Sequence, residues 1–240
     1  MTGDRTRPAG AGKASTRELI LDTAERLFAE QGIFATSNRR IAEAAGQGNS
    51  SVAGYHFGSK ADLVRAITRR FTAEVERSRV GLLAGLDGSA GLAELLGCLV
   101  RPWTDRFESL GPHSYFARVC AQAMNSPALR PIVVEEGSHS GSLKRTWEAL
   151  GRYLPGGADL STEIRRGVMQ HLIVFVCAER ESALAEGRPT SRQTWTDEAN
   201  GLIDALYGIM TAPLADLSPS PVRSRPYGRV TEDGAHAIPE

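Results

Sequence analysis

Glycines and hydroxyl caps divide residues 16–62 into short apolar-faced segments, and that punctuation limits the folds open to this chain more than any other feature. Ser15 and Glu18 have the S-x-x-E spacing of a capping box, and Leu19, Ile20, Ala24, Leu27 and Phe28 follow at helical intervals until Gly32. Thr36 or Ser37 is placed to accept from the free N–H groups of a second helix, whose apolar face is Ile41, Ala42 and Ala45 and which Gly46 ends. A third element, from about Ser50 to His56, has only Val52, Ala53 and Phe57 to bury, so its neighbours must hold it. It leaves Asn49, Ser50, Ser51, Tyr55 and His56 as hydrogen-bonding or stacking groups. Ser59 and Asp62 repeat the capping pattern, which starts a long helix at Lys60. A cation at a helix mouth opposes the helix dipole and gains most beside a phosphate. Helix, glycine turn and short helix is the order by which a chain places one helix in a DNA groove.

Three spaced blocks carry a more specific signal: Thr-Arg-Glu-x-Ile-Leu-x-x-Ala-x-x-Leu-Phe-Ala-x-x-Gly from Thr16, Ile-Ala-x-Ala-Ala-Gly from Ile41, and Tyr-His-Phe-Gly-Ser-Lys-x-x-Leu from Tyr55. Together they resemble the tetracycline-repressor (TetR) family over residues 16 to about 67. Two positions depart from the commonest form of the motif. Gln47-Gly48-Asn49 lengthens the turn by one residue, and Gly54 stands where tyrosine is usual. The resemblance implies an all-α fold, in which an N-terminal three-helix helix-turn-helix DNA-binding domain joins a C-terminal helical ligand-binding and dimerisation bundle. It also implies that Thr36 or Ser37, together with Arg39, approaches the sugar-phosphate backbone from the second helix, and that Tyr55, His56 and Lys60 do so around the third. Asn49, Ser50 and Ser51 are then left as base readers, being short enough to reach base edges from a helix pressed into the groove. Arg39 also reads as a solvated helix face, and His56 as a packing partner of Phe57.

The chain has 240 residues, with 28 basic against 28 acidic side chains, so affinity for nucleic acid must come from local placement of charge rather than bulk adhesion. Residues 1–13 lack the apolar core of a signal peptide, and the longest apolar run, Leu172 to Ala178, is far short of the ~20 residues of a membrane helix, so a cytoplasmic location without membrane contact is expected. Cys98, Cys120 and Cys177 are odd in number and widely spaced, which favours reduced structural thiols. Catalysis is not expected. Cys120 with His113 or His139 is the best nucleophile and base that the sequence offers, and no spaced metal or phosphate motif accompanies them. No cofactor or metal is called for.

Beyond Asp62 the pattern stays helical. Leu63, Ile67, Phe71, Val75, Ser78 and Leu82 trace one face of a long segment, and Pro102 is expected to bend or break the helix that follows it. Another helix carries Tyr115, Phe116, Val119 and Cys120. Pro131 begins a segment holding Leu143, Trp147 and Leu150, interrupted at Gly137 to Gly141. The last two helices hold more apolar surface than one protomer should cover. A homodimer interface is therefore expected from Val168, Leu172, Phe175, Val176, Trp195, Leu202, Leu206 and Met210, as the resemblance also implies. Trp103, Phe107, His113, Tyr115, Phe116, Arg118, Trp147, His171 and Phe175 are candidate contacts for a small-molecule effector, with core packing as the other reading of the aromatics. The expected organisation is a flexible N-terminal arm over 1–15, the DNA-binding domain over 16–62, the effector and dimerisation domain over 63–212, and a disordered Pro-rich tail over 213–240. The expected partners are a double-stranded, palindromic DNA operator, a second copy of the chain and a small molecule that relieves repression. A helical ligand-binding sensor or adaptor that no longer binds DNA is the competing reading.

Overall fold

The computed structural model describes residues 15–47, 52–154 and 160–213, and every regular element among them is helical. In order these are α1 (Thr16–Gln31), α2 (Asn38–Ala44), α3 (Val52–Phe57), α4 (Lys60–Ala84), α5 (Leu92–Leu110), α6 (Phe116–Met124), α7 (Arg130–Ser138), α8 (Gly141–Leu150), α9 (Leu160–Ala185) and α10 (Trp195–Thr211). Short 3-10 turns follow α5 and α8. The capping signals do what their spacing implies: Ser15 with Glu18 and Ser59 with Asp62 form reciprocal boxes at the starts of α1 and α4. Thr194 with Asp197 does the same for α10. Gly32 and Gly46 take positive φ at the ends of the first two helices, a conformation that only glycine adopts freely. The expectations for the N-terminal arm and the Pro-rich tail fall, apart from Ser15 and Pro213, outside the described residues.

Pro102 neither breaks nor ends its helix, since α5 runs unbroken to Leu110. The proline cannot donate to the carbonyl one turn back, that of Cys98. The buried Arg79 side chain of α4 supplies the missing donor, with Nε 2.8 Å from that oxygen. The segment expected from Pro131 resolves into two helices. Pro131 sits in the first turn of α7, and Ser140 caps α8 by accepting from the Leu143 N–H at 3.0 Å.

One apolar core runs from α1 to α10. At its centre Phe71 stacks on Phe116 with ring centroids 3.8 Å apart, while Phe107 and Trp103 close on the same ring. Trp195, Leu202, Leu206 and Met210 of α10 are all buried in this core, where α10 packs on α5. They present no surface to a second copy, which corrects their expected place in a dimer interface. Apolar surface is left uncovered on α9, where Ile164 and Val168 are 58% and 49% exposed. With the half-buried Leu172 and Phe175, they line an apolar groove one face of the helix wide.

Candidate nucleic-acid interface and ligand cavity

The residues expected to meet DNA divide sharply in the structure. Tyr55 of α3 is 86% exposed, whereas Phe57 two residues on is buried, so the short helix is held by one side and offers the other. His56 is half-buried, edge-on to Tyr55 at 5.3 Å and 6.5 Å from Phe57. Lys60 opens α4 and donates from Nζ to the Phe34 carbonyl at 2.8 Å, which brings the turn after α1 against the start of α4. Phe34, which the sequence pattern did not single out, is 65% exposed at that turn. Arg39 is solvent-facing and pairs with Glu43 one turn on, with Nε 2.7 Å from the carboxylate. Ser37 caps α2 by accepting from the Arg40 N–H.

Thr36 is fully buried, and its hydroxyl donates to the Gly32 carbonyl at 2.9 Å and to that of Leu27. Its role is to close the turn between α1 and α2, so the expectation of a backbone contact from Thr36 is corrected. Asn49, Ser50 and Ser51 lie outside the described residues. Gly54 has open space where a Cβ would stand, so no packing constraint excludes a side chain there.

Two ties join this module to the rest of the chain, and a third braces the second of them. The Arg70 guanidinium of α4 donates to Asp22 and Glu25 of α1. Gln122 of α6 donates to the Phe28 carbonyl at 2.8 Å and accepts from the Ile33 N–H at 2.9 Å, which fixes the turn after α1. Glu181 of α9 in turn holds the start of α6, accepting from the Arg118 N–H at 2.9 Å and from its side chain. Burial pushes the Glu181 carboxyl above the usual glutamate range against the pull of Arg118. Neither Gln122 nor Glu181 stood out in the sequence, because a polar residue on a half-buried helix face has no periodic signature of its own.

A cavity of about 660 Å³ opens between α5, α7, α8 and α9. Leu99, Leu143, Ile173 and Val174 line it with the two indoles of Trp103 and Trp147, and Arg79 reaches it from α4. Of the nine expected effector contacts only Trp103 and Trp147 lie on this wall. Phe107 and Phe116 are fully buried in the aromatic core, which corrects their assignment. His113 is exposed on the turn after α5, and Tyr115 lies beneath the Arg118 guanidinium, which also pairs with Glu181. His171, its Nδ1 2.7 Å from the Gly167 carbonyl, stacks with Phe175 along the α9 groove.

The three thiols are free and buried. Burial pushes Cys120 up to about 12, so at neutral pH it carries no thiolate to pair with a histidine as nucleophile. Among the described residues no group of three or more His, Cys, Asp or Glu could hold a metal ion, and no helix is long and apolar enough to cross a membrane.

Residues 20–67 match the family described as bacterial regulatory proteins, tetR family. The chain is 40% identical over 87 residues to the HTH-type transcriptional repressor KstR2 of Rhodococcus jostii (strain RHA1), a match covering 36% of this chain and 42% of that repressor. It therefore spans less than half the length of this curated relative. Among solved structures, the fatty acid degradation regulator FadR from Bacillus halodurans superposes with a TM-score of 0.57 at 18% identity, over 82% of this chain and 97% of that one. A TetR-like transcriptional regulator from Rhodococcus sp. RHA1 gives 0.54 at 18% identity, over 85% and 100%. These likenesses show that the fold is shared along most of the chain.

Proposed function

We propose, from the match of residues 20–67 to the tetR family of bacterial regulatory proteins, that this chain is a member of that family and a sequence-specific DNA-binding transcriptional regulator. It works as a homodimeric repressor that leaves its operator when a small molecule binds. The observation that carries this reading is the one-sided burial of α3. A helix with Phe57 inside and Tyr55 almost fully in solvent, set between a glycine turn and a capped helix with a lysine at its mouth, is presented for contact rather than packed for stability.

The DNA-binding module covers residues 16–62 and the effector and dimerisation body residues 63–212. Tyr55, His56, Lys60, Ser37 and Arg39 position it on phosphates, while Asn49, Ser50 and Ser51 read bases. The exposed α9 face of Ile164, Val168, Leu172 and Phe175 joins two copies, with their readers about 34 to 36 Å apart. Coupling runs along α4, which starts at Lys60 beside the reader and passes Arg79 at the cavity about 28 Å further along its axis. A molecule that fits the cavity better in a wrongly spaced form lowers operator occupancy by its differential affinity for the two forms.

Selection from a pool of randomised duplexes, followed by gel shift with DNA upstream of the chain's own coding region, tests this. A two-fold symmetric consensus and a retarded band are expected. Recovery of no consensus, with salt-dependent binding to every duplex alike or none, would overturn it and favour the sensor or adaptor reading.

A further inference from the structure

Arg79 is 3% exposed, yet among the described residues it forms no ion pair with a carboxylate. Its hydrogen bonds go to neutral groups: Nε to the Cys98 carbonyl at 2.8 Å and Nη1 to the Ser140 hydroxyl at 3.4 Å. Nη2 makes none. Glu76, three residues earlier on α4, is the acid that acts on it electrostatically, but that carboxylate is already engaged at the start of α8. There it accepts from the Ser142 N–H at 2.9 Å, from the Ser142 hydroxyl at 2.6 Å and from the Ser140 hydroxyl. A buried guanidinium without its own counter-ion is costly to keep, and the free energy is recovered when an anion arrives.

The cost falls at the wall of the cavity, whose other groups are arranged in the same sense. Lys144 and Arg166 stand at its exposed rim, Arg166 stacked on the Trp147 ring at 5.0 Å, against the single rim carboxylate of Glu148. The rest of the lining is mainly aliphatic and aromatic, with Ser138, Ser140, Thr162 and Gln170 as its uncharged polar groups. From this we infer that the cavity takes an amphipathic carboxylate, a flat or elongated apolar body between Trp103 and Trp147 with its anionic head on the Arg79 guanidinium. The Nη2 donor and the charge are then both answered, and the apolar body displaces water from the indoles. This deepens the proposed effector role by naming the chemical class, and it rests on that reading.

Three pyrene probes of one shape separate the chemistry: 1-pyrenebutyrate, 1-pyrenebutanol and 1-pyrenebutylamine, titrated into the full chain without DNA and followed by quenching of tryptophan emission. The butyrate is expected to bind at least about tenfold more tightly than the alcohol, and the amine most weakly. The variant Arg79→Met removes the charge but also the donor to Cys98, so it is paired with Arg79→Met/Pro102→Ala, in which the helix can satisfy that carbonyl itself. In the folded double variant the acid and the alcohol should bind alike. Equal affinity of acid and alcohol for the unmodified chain, preference for the amine, binding of none of the three, or an acid preference that survives in the double variant overturns the inference. Operator binding is measured separately, so loss of anion selectivity with DNA binding intact sinks only this inference, and loss of DNA binding sinks the regulator reading.

Discussion

Thr36 and Lys60 both belong to the module's polar set, but their surroundings give them opposite tests. Thr36 donates inward to two carbonyls of a buried turn. Thr36→Val should cost about 1 kcal/mol in urea unfolding and leave the salt dependence of DNA binding unchanged. A changed salt slope would restore it as a phosphate contact. Lys60 is the reverse case, a cation at a helix start that among the described residues hydrogen-bonds only to a backbone carbonyl. Lys60→Met should weaken binding to every duplex alike and reduce the salt slope by roughly one unit. What the sequence revealed at this scale were residues with a short-range signature. Caps such as Ser15 and Ser59 answer to groups three residues away and can be read from spacing. Thr36 and Ser37 are adjacent hydroxyls with the same local credentials, and only the packing of α1 decides which one turns inward.

At the scale of elements the seam between α4, α5 and α8 carries the strongest interdependence. Arg79→Met leaves the Cys98 carbonyl without a donor and should cost about 1 to 3 kcal/mol. Adding Pro102→Ala restores the helix's own donor, so the two changes should couple favourably in a double-mutant cycle; simple additivity in urea unfolding would contradict the assigned hydrogen bond. Glu76 reports on the same seam through pH. Burial alone would raise its carboxyl, but the hydrogen bonds from Ser140 and Ser142 outweigh it and hold the group below its ordinary 4.5. Stability from a lowered carboxyl is present above the unfolded value and is lost as pH falls through the folded one. Glu76→Gln should therefore be less stable than the parent near neutral pH, and thermal melts of the two should converge in acid. The four-residue step Leu63, Ile67, Phe71, Val75 leads next to Arg79, and following it rather than moving to Ser78 would have exposed this arginine in the sequence. Its partner carbonyl, freed by Pro102 on another helix, is a long-range fact with no sequence signal.

For the whole molecule, the order of the helices was legible from caps, glycines and apolar stripes, except that the interruption at Gly137 to Gly141 did not by itself divide the segment from Pro131 into α7 and α8. Which stripe faces inward was not legible. The apolar faces of α9 and α10 look alike in periodicity, yet α5 covers Trp195 and Leu206 while Ile164 and Val168 stay in solvent. The expected effector residues were scattered for the same reason: Phe107 and Phe116 found Phe71, His171 and Phe175 lie along the α9 groove, and of the nine only the two indoles line the cavity between α5, α7, α8 and α9. If the uncovered α9 face joins two copies, a charge placed on it should separate them. Val168→Glu should sediment as a monomer that keeps its fold by circular dichroism, and a dimer that survives the change would move the interface elsewhere.

Paired readers set on one duplex by two copies of this fold make the central claim, and the mass of the complex tests it most directly. Sedimentation equilibrium of the chain with a duplex recovered by site selection should give two copies per duplex, with Val168→Glu unable to form that complex at the same concentration. A single copy bound at full affinity to one half-site, by the parent chain or by the variant, would contradict the account.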